Sequence, residues 1–275
     1  MSRLRATFVA PSAMVMILLF FVPLLIVFVY SLLTRGPYGG VMKPWTIESY
    51  IRVFDPLYGE ILWRSVWIAL LSTGLCLLLG FPLALYIARS STHKTLLLNL
   101  VVLPFWTSFL IRTYAWMFLL RDTGLINSGL EAMHVIRQPL PLLFNTGAVI
   151  LGLVYGYVPF MVLPLYATLE KLDPVLLDAA EDLGASPWVA VLRVVVPLAK
   201  PGMIAGSLLV FIPCLGAYLT PDLMGGGKTV MVGNLVQNQF TTGRDWPFGA
   251  AVSLLLMILV VIVIQALGRR GEDLI

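Results

Sequence analysis

Residues 178–198 read DAAEDLGASPWVAVLRVVVPL, a polar stretch with three acidic residues, one glycine and two prolines. The stretch interrupts a chain of 275 residues that is 59% hydrophobic and only 12% charged. An average soluble domain has about 25% charged residues. Because one chain of this size cannot bury so much apolar surface within itself, the composition predicts that the protein lies in lipid. The polar stretch is therefore expected to lie outside the bilayer.

Apolar runs on both sides of this stretch predict an all-α integral membrane protein. About 20 apolar residues cross a bilayer as a helix, and lipid offers the backbone no other partners. The runs do not alternate as the strands of a membrane barrel do. The first run continues from Ala6 to Thr34 without a charge, so it predicts an uncleaved helix and no signal peptide. One transmembrane domain over 1–275 is predicted, with six spans at roughly 8–33, 63–88, 96–120, 144–169, 201–220 and 247–267.

Six spans place both termini, the turn 89–95 and the polar loop 170–200 on the same side of the membrane. The basic residues are divided equally between the two sides, nine and nine. The positive-inside rule therefore does not decide the orientation.

The polar loop has the signals of a short helix, a turn and a second helix. Asp173-Pro174 suits the start of a helix, Gly184 suits a left-handed residue that ends it, and Ser186-Pro187 repeats the start signal. A helix lying on anionic lipid usually has lysine and arginine on its polar face, whereas this helix is acidic. The charge favours a protein partner, with a membrane-surface helix as the alternative.

The same stretch resembles the EAA loop of ABC importer permeases, whose pattern is E-A-A-x3-G-x9-I-x-L-P. Here the pattern is Asp178-Ala179-Ala180, then Gly184, then Val194 to Pro197, with matching spacing. Aspartate replaces glutamate, and valine replaces isoleucine and leucine. The resemblance implies a type I ABC importer permease-like fold in which 170–200 is the coupling-helix loop that contacts a cytoplasmic ATPase. The implied contact residues are Asp178, Ala179, Ala180, Glu181, Gly184, Ala185 and Ser186.

The resemblance also implies the partners and the location of the chain. The partners are a second homologous permease forming a heterodimer, two copies of the ATPase, which bind ATP and magnesium, and an external substrate-binding protein. The location is a bacterial inner membrane with both termini cytoplasmic. No catalytic group, metal site or cofactor is expected in the chain itself. The run from Gly225 to Thr229 lacks the glycine spacing of a phosphate-binding loop, and His93 and His134 are isolated. Nucleic acid is not expected as a partner, because no basic run exceeds two residues.

Three further stretches resemble the branch of this family that transports spermidine and putrescine: 103–114, 222–228 and 244–250. The resemblance implies polyamine import. Ferric iron, opines or other small cations remain alternatives within the same class. An ion-coupled secondary carrier is a weaker alternative, because no aspartate or glutamate lies deep in a predicted span. A membrane-embedded enzyme is disfavoured for lack of a polar catalytic cluster.

A polyamine needs aromatic faces and acceptors along its route, since each cation–π contact is worth about 0.5–2 kcal/mol. Spans four and five are predicted to line the route, and packing or an interfacial aromatic belt is the alternative role. Arg112 lies within a span, where a charge is costly, and is expected to anchor the outer helix end against Asp122. The candidate route residues are Trp106, Tyr114, Tyr155, Tyr157, Tyr218 and Asp222.

Overall fold

The computed structural model describes residues 2–272, with side chains described for residue 11 and residues 14–266. The described chain is mostly helical, as predicted, and contains one small two-stranded sheet. Contacts divide it into two compact units, Met1–Glu60 with Leu235–Val261 and Ile61–Asn234 with Ile262–Ile275. The predicted coupling loop and all predicted route residues belong to the second unit.

The first unit combines two long apolar helices with a two-stranded hairpin and two short helices. It contains α1 (Ser2–Ser31), β1 (Leu33–Arg35), β2 (Val41–Trp45), α2 (Glu48–Val53), most of α13 (Val232–Phe240) and most of α14 (Trp246–Glu272). The strands form an antiparallel hairpin with Leu33 opposite Trp45. Arg52 Nη1 lies 2.9 Å from Asp245 Oδ2, and the Asp245 side chain is buried. These strands lie between the predicted spans 8–33 and 63–88, and they are too short to give a readable alternation in the sequence.

The second unit contains the remaining helices, and α3 begins in the first unit. It contains α3 (Pro56–Arg89), α4 (Lys94–Val102), α5 (Phe109–Leu120), α6 (Leu125–Ala132), α7 (Thr146–Leu169), α8 (Val175–Asp182), α9 (Pro187–Ala190), α10 (Val196–Leu198), α11 (Lys200–Leu215) and α12 (Leu219–Gly225). A 3₁₀ turn (Leu103–Trp106) follows α4, and a π-helical turn (Val191–Val195) joins α9 to α10.

Glycines let α7 approach its neighbours closely. The spacing Gly152-x-x-x-Gly156 predicts such packing, and a Cβ at Gly152 would lie 2.6 Å from Met224 Sδ on α12. The contact between α7 and α11 also depends on a glycine, since a Cβ at Gly206 of α11 would lie 2.7 Å from Met161 Sδ on α7. Lipid removes the hydrophobic driving force between helices, so small residues stabilise helix contacts through close van der Waals packing.

Among the residues that the structure describes, four helical segments are long and apolar enough to cross a membrane: Met14–Ser31, Pro56–Arg89, Thr146–Leu169 and Trp246–Ala266. They correspond to the predicted spans 8–33, 63–88, 144–169 and 247–267. Two further spans exist if each of two bent helix pairs crosses as one unit. The number of spans is therefore four to six by length and composition.

The predicted spans 96–120 and 201–220 are not single straight helices. The first is broken between Trp106 and Phe109, where the chain bends by 90°. Thr107 there is extended, so the helical hydrogen-bond pattern is interrupted. The second ends at Leu215, two residues after Pro213, and pairs through a 69° bend with Pro187–Leu198. A 16-residue helix is about 24 Å long, which is less than the roughly 30 Å of a hydrocarbon core.

Candidate functional site

The predicted helix–turn–helix is present in the polar loop. Asp173 Oδ1 accepts a hydrogen bond from the backbone N–H of Val175 at 3.0 Å, which satisfies one exposed donor at the start of α8. Gly184 has φ +83° and ends the helix in the left-handed conformation, as predicted. The backbone N–H of Ala185 then donates to the Ala180 carbonyl at 3.0 Å, which closes the turn. The second helix begins at Pro187.

The loop leaves much apolar surface uncovered. Leu177 is buried, but Leu183 is 89% exposed and Trp188 is 71% exposed. The apolar side chains of this loop are therefore only partly covered by the chain itself. Among the described side chains, Asp178 and Glu181 have no cation within salt-bridge distance. Exposed apolar groups beside unpaired acids are the features of a surface that another protein covers.

A groove of about 540 Å³ lies between α8 and the second helix, and we name it the coupling groove. Small residues form much of its wall, and a Cβ at Gly184 would meet no atom within 4 Å. Arg193 lies on the π-helical turn, lines the groove and has no carboxylate within salt-bridge distance among the described residues. π-helical turns are frequent at functional sites. Arg193 is absent from the residues predicted to contact the ATPase, although it is the only base in the stretch 178–198.

The start of the loop is tied to the turn 89–95. Lys94 Nζ donates to Glu170 Oε1, and Lys94 also lies 5.5 Å from the centre of the Tyr166 ring. The hydrogen bond from Lys94 lowers the pKa of the Glu170 carboxyl below its usual value. Glu170 is the residue that follows α7, so this ion pair joins the beginning of α4 to the point where the polar loop leaves the long helix.

Two of the six predicted route residues share a cavity. Tyr157 and Tyr218 line a space of about 280 Å³ with Phe109 and Thr220, where α11 gives way to α12. The Tyr218 carbonyl accepts a hydrogen bond from Asn234 Nδ2 at 2.7 Å, which fixes the chain at this break. The Thr220 hydroxyl is buried and has no hydrogen-bond partner among the described residues.

The other four candidates lie elsewhere. Tyr155 is two residues from Tyr157, which places it about 200° around α7. It packs edge-on against Trp116 with ring centres 5.5 Å apart, in a separate apolar cavity of about 490 Å³. Trp106 is 84% exposed at the break before α5, and Asp222 is exposed on α12. Tyr114 lines a third cavity, described below. The structure therefore unites Tyr157 and Tyr218 only.

Arg112 does not contact Asp122. Its guanidinium lies 4.3 Å from the centre of the Phe105 ring and 5.7 Å from that of Phe109, and its Nε and Nη1 atoms are buried without a hydrogen-bond partner among the described residues. Arg112 lies in the second turn of α5, whereas Asp122 lies beyond the end of that helix at Leu120, and no salt bridge joins them. The aromatic faces therefore hold this cation in place of a carboxylate.

The sequence matches a family of membrane transport proteins, in agreement with its long apolar helices. Residues 77–270 match the family described as binding-protein-dependent transport system inner membrane component. The spermidine/putrescine transport system permease protein PotB of Escherichia coli (strain K12) is 45% identical over 259 residues, which cover 94% of each chain. The inner membrane ABC transporter permease protein YdcU of the same organism is 34% identical over 82% of this chain and 76% of its own.

Solved structures with the same fold are more distant in sequence. A chain of a bacterial ABC transporter involved in the import of the acidic polysaccharide alginate aligns with TM-score 0.75 at 16% identity, covering 98% of this chain and 95% of its own. A chain of the MetNI methionine ABC transporter aligns with TM-score 0.57 at 20% identity, covering 78% and 95%. At these identities the likeness concerns the fold.

Proposed function

The chain belongs to the family of binding-protein-dependent transport system inner membrane components, and from this premise we propose that it is the permease subunit of an ATP-driven importer of polyamines. The observation that carries the proposal is the 45% identity to a spermidine/putrescine permease over 94% of both chains. An identity of this size over nearly the full length includes the segments that line the transport route as well as those that only maintain the fold. The substrates are therefore spermidine, putrescine or both.

The energy for transport comes from a partner. A cytoplasmic ATPase, present in two copies, binds and hydrolyses ATP with magnesium, and this chain does no covalent chemistry. The loop 170–200 docks on the ATPase through Asp178, Ala179, Ala180, Glu181, Gly184, Ala185 and Ser186. Unpaired acids and the exposed Leu183 on this loop support the contact. Arg193 in the coupling groove suits an acidic group of the same ATPase.

The direction of transport follows from this docking. Both termini, the turn 89–95 and the loop 170–200 face the cytoplasm, where ATP is found, and the protein lies in a bacterial inner membrane. A second, homologous permease completes the wall of the passage, and an external binding protein delivers the substrate. Rearrangement of the ATPase pair moves the loop, and the spans alternate between outward and inward access.

The cavity at Tyr157 and Tyr218 suits brief contact with an ammonium group. Each aromatic face contributes about 0.5–2 kcal/mol to binding a cation. Among the described residues, no aspartate or glutamate lines this cavity. Aromatic faces without a carboxylate hold a cation weakly, so a polyamine can pass without being trapped. The cavity residues of this chain form one half of the route, facing the second permease.

The second candidate is an importer of the same class with another substrate, such as ferric iron, an opine or another small cation. The same fold occurs in transporters of an acidic polysaccharide and of methionine, so the fold alone does not select the substrate. An ion-coupled carrier is less favoured, because the two cavities between the long helices are lined without acidic residues among those described.

Uptake by the reconstituted complex tests the proposal. The two permeases and the ATPase are placed in proteoliposomes with ATP inside, and the binding protein and labelled spermidine are added outside. Unlabelled putrescine, ferric iron and an amino acid serve as competitors. Uptake that only polyamines reduce supports the proposal. Hydrolysis of ATP without spermidine uptake would retain the importer class and refute the polyamine substrate.

A further inference from the structure

A cavity so far unassigned lies at the end of α7 opposite the coupling groove, and we name it the outer cavity. Its volume is about 640 Å³. Phe144, which precedes α7, forms part of its wall, and Tyr114 and Phe118 of α5 form another part. The 24 residues of α7 span about 36 Å, so this cavity and the coupling groove lie at opposite ends of the helix.

The charges around the outer cavity are unpaired. Arg121, Asp122 and Lys228 line it, and none of them has an opposite charge within salt-bridge distance among the described side chains. The Arg121 guanidinium lies 5.4 Å from the centre of the Phe118 ring, which holds it at the rim. Two cations and one anion give the cavity a net positive charge.

The wall of the cavity is built by an unusual backbone. Phe144 has φ +59°, a conformation that a bulky residue rarely adopts. Its ring packs on Gly226, where a Cβ would lie 2.5 Å from Phe144 Cδ1, and Gly226 itself has φ +56°. Only glycine permits this approach, and the contact with the strained Phe144 brings the loop of Lys228 against the start of α7. Strain of this kind marks functional sites more often than ordinary loops.

The chemistry of the outer cavity excludes the substrate and favours a carboxylate. Two unpaired cations repel a polyamine, so the cavity does not belong to the polyamine route. A carboxylate entering it would meet the fork of Arg121 and the ammonium of Lys228 together. Asp122 adds an acceptor for a hydrogen-bond donor beside that acid.

The exposed rim indicates a protein as the owner of the carboxylate. Tyr114 is 43% exposed, Phe118 62% and Phe144 44%. Aromatic residues around an arginine are the composition enriched at the centres of protein interfaces. A free small anion would leave this apolar rim uncovered.

We propose that the outer cavity is the docking site on this permease for an acidic side chain of the external substrate-binding protein. The inference rests on the proposed function, which places this end of α7 outside the cytoplasm. It adds to that function the surface and the charges by which the permease receives its loaded partner.

The test is the ATPase activity of the reconstituted complex as a function of the concentration of spermidine-loaded binding protein. We expect Arg121→Glu and Lys228→Glu each to raise the half-saturating concentration about tenfold, with the rate recovered at saturation. Arg137→Glu is the matched control, because Arg137 is an exposed base in the segment between α6 and α7 that does not line the cavity. It is expected to shift the half-saturating concentration less than about twofold.

The outcomes separate docking from function. A half-saturating concentration that neither variant changes would overturn the docking proposal while spermidine still enters. Loss of the second permease from complexes of both Arg121→Gln and Lys228→Gln would assign the cavity to the contact between permeases and also overturn it. A wild-type complex that loaded binding protein fails to stimulate would instead contradict the proposed function.

Discussion

Replacing Gly184 by alanine should weaken docking of the polar loop on the ATPase, because an L-residue resists the left-handed conformation that the loop uses here. Gly184 has φ +83°, and a Cβ there meets no atom of this chain within 4 Å. Within the permease the substitution therefore costs only the left-handed strain of an L-residue, about 1–2 kcal/mol. The new methyl group points into open space beside the coupling groove, where the proposed partner docks.

This strain gives the size of the expected effect. An energy of about 1–2 kcal/mol corresponds to a factor of roughly 5–30 in an equilibrium constant. If the loop must keep the observed bend to dock, the Kd of the ATPase for the permease pair rises by that factor. The permease pair itself should assemble normally, because no packing contact is lost.

The assay is titration of purified ATPase onto the permease pair in lipid nanodiscs. Gly129→Ala is the matched control, because Gly129 also has open space around it but lies in α6 without a positive φ. It should leave the Kd unchanged. Wild-type affinity for Gly184→Ala, or an equal loss for Gly129→Ala, would refute the reasoning.

Asparagine at position 184 distinguishes the two ways in which alanine could act. Asparagine tolerates the left-handed conformation better than alanine does. If strain dominates, Gly184→Asn binds the ATPase more tightly than Gly184→Ala. If the side chain blocks the partner, the larger asparagine binds more weakly than alanine.

Three further predictions concern packing, the route and the coupling groove. Gly206→Ala forces α7 and α11 apart and should lower the free energy of unfolding of the purified permease pair by about 1–3 kcal/mol, seen as a lower Tm. Gly74→Ala is the control, because Gly74 has open space around it, and it should leave the Tm unchanged. Tyr218→Ala should raise the KM for spermidine uptake about 2–30-fold through the lost cation–π contact, and Tyr218→Phe should leave it near wild type; equal effects of the two would contradict a ring contact. Arg193→Glu should weaken ATPase binding at least about fivefold, and Lys200→Glu, outside the groove, should serve as its neutral control in the same titration.

Local backbone chemistry made the polar loop predictable. Asp173, Gly184 and Ser186 each favour one backbone conformation through their own side chain or its absence, so short-range signals were sufficient. The structure has the helix start, the left-handed residue and the second helix where these signals place them. The role of the loop residues in docking stays a prediction.

Which of the candidate side chains lie together in space was not predictable from residue type. Tyr155 and Tyr157 look equivalent in the sequence, yet helical rotation sends them to different cavities. Arg112 was expected to find a carboxylate, but the bend before α5 brings Phe105 over it instead. Such contacts depend on where a helix breaks, and the break at Thr107 has no strong signal beyond the nearby proline.

The most direct test of the central claim is spermidine accumulation in proteoliposomes with ATP confined to one side. ATP is enclosed in one preparation and supplied only outside in a second, and ionophores remove all ion gradients. The account predicts accumulation above the external concentration only when ATP is on the side of loop 170–200, and no accumulation when that side lacks ATP. Accumulation that proceeds without ATP, or that appears only when the ionophores are left out, would contradict it.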